Sequence, residues 1–181
     1  MEWKIDPAHS SVDFSVRYLV STIHGRFTGL HGPVQLTDVA DGETPELISF
    51  DAVFDADSFQ TGVQARDHHI KGEEFLDTAA HPEAKVRLVS LAKDVPPKYL
   101  MTLELTLHGF TRTVDLVADT AGPVTDAFGV PRVGATATGR LKRSDFGVSA
   151  FQGFISDDVE FTVNVQAVPA SVPDDQLPPA N

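Results

Sequence analysis

KYLMTLELTLHG, residues 98–109, sets the reading of the fold. Tyr99, Met101, Leu103, Leu105 and Leu107 alternate with Leu100, Thr102, Glu104, Thr106 and His108. A period of two puts the first set on one face of an extended strand and most of the polar residues on the other. A strand with one apolar and one wet face belongs in an antiparallel sheet. His108-Gly109 then reads as a tight hairpin into a partner strand over 111–119.

The same period recurs on both sides. Upstream, Val12, Phe14, Val16 and Tyr18 alternate with Ser11, Asp13, Ser15 and Arg17. Residues 24–36 carry Phe27, Leu30, Val34 and Leu36, with a bulge expected at Thr28-Gly29. A polar loop over 38–45 leads to Ile48, Phe50, Ala52 and Phe54, and a strand over 84–91 ends before the breaker Pro96-Pro97. Downstream, residues 132–142 set the small Ala135, Ala137 and Gly139 on the face of Val133 and Leu141. Val159, Phe161, Val163, Val165 and Ala167 close the series. The count is eight strands. Residues 66–77, RDHHIKGEEFLD, break the period and read as a short helical segment between the third and fourth strands. Residues 144–156 are irregular and rich in Phe and Gly.

The expected fold is therefore all-β, an eight-stranded antiparallel up-and-down barrel with a short helical lid; a two-sheet sandwich is the rival. The 181 residues suit one domain over 1–168, with a disordered Pro-rich tail over 169–181.

Composition removes several functions. A formal charge of −12 opposes a nucleic-acid partner or an anionic membrane surface. Without cysteine there are no disulfides, thiolate metal sites or cysteine nucleophiles. The opening MEWKIDPAHS shows no secretory signal pattern, so a cytoplasmic location is expected; no apolar run suits a membrane-spanning helix. No nucleophile elbow, phosphate loop or dinucleotide motif occurs. His68 and His69 diverge by about 100° on a helix, and His24, His31, His81 and His108 fall in separate loops or strand ends. No metal, cofactor or catalytic residue is assigned.

The apolar face of each strand remains, and it has two readings. It is a packed core, or it lines a tunnel for an apolar chain. The tunnel wall would be Phe14, Val16, Phe27, Phe54, Phe75, Leu103, Leu105, Phe146, Phe154 and Phe161, with Arg66 and His69 at the mouth. A filled barrel that binds a partner, and a histidine- or metal-dependent enzyme, are the other functional alternatives.

Several motifs together resemble the YceI-like family of polyisoprenoid-binding proteins. They are Trp3-Lys4-Ile5-Asp6 with His9-Ser10, Gly25-Arg26-Phe27 with Gly32, Arg66-Asp67 with His69-Ile70 and Phe75, Leu105-Thr106-Leu107 with Gly109, and Arg143-Ser144-Asp145-Phe146-Gly147. The resemblance implies a lipocalin-like barrel with a hydrophobic pore. It implies binding of a polyisoprenoid, an isoprenoid quinone or a fatty-acid-like lipid rather than catalysis, for transport, storage or protection, and often a homodimer.

Overall fold

The computed structural model describes residues 1–38, 43, 45–93 and 98–177. Ten strands form one antiparallel sheet: β1 (Glu2–Ile5), β2 (Ser11–Tyr18), β3 (Ser21–Phe27), β4 (Pro33–Leu36), β5 (Leu47–Asp55), β6 (Glu83–Lys93), β7 (Lys98–Leu107), β8 (Phe110–Thr125), β9 (Pro131–Lys142) and β10 (Ile155–Pro169). The pairing runs β1-β4-β5-β6-β7-β8-β9-β10, and β10 pairs back to β1, so the sheet closes on itself.

The ten segments make eight strand positions. β10 pairs with β2 along one part of its length and with β1 along the rest. β3 pairs with β2, and β4 with β1. β1 and β2 together thus make one barrel strand broken in the middle, and β3 and β4 together make the next. Pro7 forces the first break, in a 3-10 turn over Pro7–His9 capped by Asp6. The second break covers residues 28–32, where Gly29 and Gly32 take φ of +72° and +145°. The expected bulge is a full interruption, because those angles suit glycine and end the strand. The short β1 escaped the sequence pattern. The barrel is closed, eight-stranded and antiparallel as expected, with one short helix, α1 (Gln64–Lys71), between β5 and β6.

The β7–β8 corner is the expected two-residue hairpin. His108 and Gly109 have φ of 52° and 76°, the left-handed pair that such a turn requires. Outward residues of the strands pair on the surface: Thr102 donates to Asp115 at 2.7 Å, and Arg87 to Glu104 at 2.9 Å. Inward residues are the apolar set.

Chain direction gives the barrel two distinct ends. The β2–β3 and β7–β8 turns, α1 and residues 143–154 gather at one end. The start of β1, the β8–β9 turn and the end of β10 gather at the other. At that second end Asp6 is fully buried; its Oδ2 lies 2.9 Å from His9 Nδ1 and accepts from Arg132 Nη1 at 2.6 Å. Arg132 also donates to Asp126 at 2.8 Å. Burial pushes the Asp6 carboxyl up, but Arg132 and His9 outweigh it and hold the carboxyl below its ordinary value.

Of the tail, the first residues continue from β10: Ala170 donates to the Glu2 carbonyl at 3.0 Å, and Asp174–Gln176 form a 3-10 turn. Residues 178–181, Pro96-Pro97 and most of the 38–45 loop lie outside the described residues. No helix among the described residues is long and apolar enough to cross a membrane.

Candidate functional site: an apolar bore under a helical lid

The barrel is hollow. A cavity of about 590 Å³ runs between its two ends, reaching Leu47, Leu91 and Tyr99 at one and Tyr18, Ile23, Arg66 and His69 at the other. Its volume falls in the range of small-molecule sites, roughly 300–1,000 Å³. Alternation builds the wall: β7 contributes Tyr99, Met101, Leu103, Leu105 and Leu107, and β10 contributes Val159, Phe161, Val163, Val165 and Ala167.

Most residues expected in the wall are there. Phe14 and Val16 enter from β2, Phe27 from β3, Phe54 from β5, and Leu103 and Leu105 from β7. Phe75, Phe146, Phe161, Arg66 and His69 complete them. Phe154 is the exception: it is 55% exposed and off the cavity. The chain turns over 151–154, with Phe151 at φ 56°, and directs Phe151 to the bore instead. Alternation does not apply in a turn, so no periodic signal reports that exchange. The space at Gly139, among the small residues of β9, is filled by a neighbour. A Cβ there would lie 2.6 Å from Phe161 Cζ, so the glycine seats a ring. Gly25 seats Phe14 in the same way, with 2.2 Å to Cζ.

Near the lid the wall is aromatic. Phe14 stacks on Phe59 with centroids 5.3 Å apart, and Phe27 meets Phe54 at 5.2 Å. Phe59 was missed because it falls in the short stretch after β5 where the strand period stops.

The lid itself is weakly anchored. α1 starts two residues before the expected stretch and ends at Lys71, and none of its residues is buried. Thr61 is its tether: Asp67 Oδ1 accepts from Thr61 N at 2.9 Å and from Thr61 Oγ1 at 2.5 Å. Arg66 Nε donates to Thr61 Oγ1 at 2.6 Å. After the helix, Phe75 and Leu76 turn inward and are buried. The His69 ring stands edge-on to Phe75 at 5.1 Å and to Phe151 at 5.9 Å, and its Nε2 lies 2.9 Å from Glu74 Oε2. Polar atoms therefore reach the bore mainly at this mouth, from Thr61, Arg66 and His69.

Arg143 supports the mouth from the other side. It is buried and donates to the carbonyls of Val148 at 2.9 Å, Ala150 at 2.8 Å, Ser156 at 3.0 Å and Ile155 at 3.1 Å. Burial presses its guanidinium below the ordinary value, and Asp157 opposes that. Its fork of donors fixes the irregular segment that carries Phe151.

A closed antiparallel barrel with an apolar bore and a polar mouth defines a hollow-barrel architecture built to enclose a ligand-sized space. The comparisons with known proteins make this specific. The chain belongs to the YceI-like domain family, whose model matches residues 3–167. It is 31% identical over 170 residues to protein YceI of Escherichia coli O157:H7, covering 92% of this chain and 86% of that one. Among solved structures, the YceI protein of Campylobacter jejuni superposes with a TM-score of 0.74 at 24% identity, over 86% of this chain and 90% of that one. A polyisoprenoid-binding domain from Saccharophagus degradans superposes with a TM-score of 0.70 at 16% identity, over 92% and 98%. At those identities the two structures support the fold alone.

Proposed function

We propose that the barrel binds one long-chain apolar molecule, a polyisoprenoid, an isoprenoid quinone or a fatty-acid-like lipid, along its bore, as a binding protein rather than an enzyme. The observation that carries this reading is the continuous apolar cavity of about 590 Å³. A cavity of that kind loses packing contacts when empty, so a guest that fills it stabilises the fold. The name of the Saccharophagus degradans domain, a structural relative, points to the same class of guest. The polar end of the guest lies under the lid, against Thr61, Arg66 and His69, because the remaining wall offers it few partners. A carrier or storage role, and a homodimer, belong to this reading.

Leu103→Trp tests it. Leu103 lines the middle of the bore. Extra bulk there enters open space, so the variant folds but blocks the guest. Added long-chain isoprenoid alcohol or quinone is expected to raise the melting temperature of the parent and not of the variant. If Leu103→Trp instead loses about 1–3 kcal/mol, as overpacking in a filled core does, and neither protein responds to the lipid, the barrel is a packed domain.

A further inference from the structure

We propose that Asp77, His81 and His108 form a site for one divalent transition-metal ion of the zinc class, separate from the bore. One ligand atom from each of the three lies within 4.8 Å of the other two. All three residues are half-buried, and none lines the cavity. Sequence reading kept the two histidines apart because they sit on different turns. Pairing of β6 with β7 brings His81, two residues before β6, against the β7–β8 corner, and the rings meet edge-on with centroids 5.2 Å apart.

Three features suit this cluster to an ion. First, His108 Nδ1 lies 2.9 Å from the Phe146 carbonyl oxygen, to which it donates. That bond fixes the tautomer and leaves Nε2 with its lone pair, the usual outer support of a metal-bound imidazole. Second, the Asp77 carboxylate and the His81 ring nitrogens have no hydrogen bond or ion pair among the described residues. No protein contact therefore competes with an ion for these ligand atoms. Third, the two backbones are held in place. Asp77 N donates to Gly72 O at 3.0 Å, and His81 N to Asp77 O at 2.8 Å. Gly109 makes room for the His81 ring, since a Cβ there would lie 2.9 Å from its Cε1.

Two imidazoles and one carboxylate are the donor set of open zinc-class sites, with the remaining position left to water. Donors about 2.1 Å from a tetrahedral ion stand roughly 3.4 Å apart, so closure asks a shift of roughly 1 Å from rotatable side chains. Mg²⁺ and Ca²⁺ prefer all-oxygen shells and are disfavoured. A bound ion would tie the turn that follows the lid to the β7–β8 hairpin and, through Phe146 O, to the segment under Arg143. It would thus brace the lid end of the barrel.

Calorimetric titration of chelator-stripped, untagged protein with Zn²⁺ tests this, with Mg²⁺ as control. The expected result is one Zn²⁺ per chain, a raised melting temperature and no response to Mg²⁺. Asp77→Asn retains a residue that tolerates the left-handed backbone at φ 44°. It and His81→Gln should each weaken Zn²⁺ by at least about 10-fold, since even outer partners of metal ligands are worth about 10–100-fold. Co²⁺ should give visible ligand-field bands in the parent that both variants lose. Should one variant fail to fold by circular dichroism, the other decides. Absence of binding to the parent, or binding undiminished in the folded variants, overturns the proposal.

Discussion

At the end of the barrel away from the lid, a fully buried carboxylate is held by an arginine and a histidine. At the lid end, an eight-residue helix with no buried residue is held by Thr61, by Ile70 against the core, by Lys71 4.0 Å from Asp57, by Thr78 on the Lys71 carbonyl and by aromatic edges. The two closures differ in how they fail. A buried ion pair is costly to break, because the partner left behind is an uncompensated charge; that cost is about 3–5 kcal/mol. Each lid contact is worth about 0.5–1.5 kcal/mol. Exposed apolar side chains do not separate the ends: Val20 is 90% exposed beside the β2–β3 turn, and Phe128 is 75% exposed in the β8–β9 turn. The barrel is therefore stapled at one end and latched at the other; on the proposed reading, a guest passes the latch.

Arg132→Met should have the largest effect. It leaves Asp6 buried without its cation and is expected to cost about 3–5 kcal/mol in urea unfolding. A loss under about 1 kcal/mol would erase the contrast between the ends. Acid should expose the same staple. The Asp6 carboxyl sits below its ordinary value of 3.8, so its contribution is complete above that pH and is lost as pH falls through the lowered value. Asp126, held down by Arg132, acts in the same direction. The melting temperature should fall below about pH 4 in the parent, and the acid step should shrink in Arg132→Met.

Thr61→Val should have the smaller effect and sharpen the contrast. It removes the hydroxyl that Asp67 and Arg66 share, at about 1 kcal/mol. Hydrogen exchange should quicken in α1 while β7 and β8 amides keep their protection. Equal quickening throughout would mean that the lid does not open on its own.

Legibility in the sequence followed periodicity. β7 and β10 were readable because side-chain alternation is dictated by the pleat, and an apolar wall of a hollow barrel has the same pattern as a filled core. Whether the barrel is filled depends on ring placement, such as Phe14 over Gly25 and Phe161 over Gly139, and no local pattern reports that. β1, only four residues before Pro7, is too short to show a period. The exchange of Phe154 for Phe151, and the four carbonyls gathered by Arg143, occur in turns where the strand rule has no force. Arg66 and Asp67 both use Thr61, which lies outside any strand period. His81 and His108 come together only through long-range strand pairing, so spacing alone could not join them.

On the proposed reading, the bore encloses a long apolar molecule. Native mass spectrometry of the purified, untreated protein, followed by solvent extraction of the same sample, tests it most directly. The expected result is a mass above that of the chain, removed by extraction and recovered as a long-chain lipid, and a protein that melts at lower temperature once stripped. A bare-chain mass, an empty extract and no stabilisation on adding isoprenoid would contradict it.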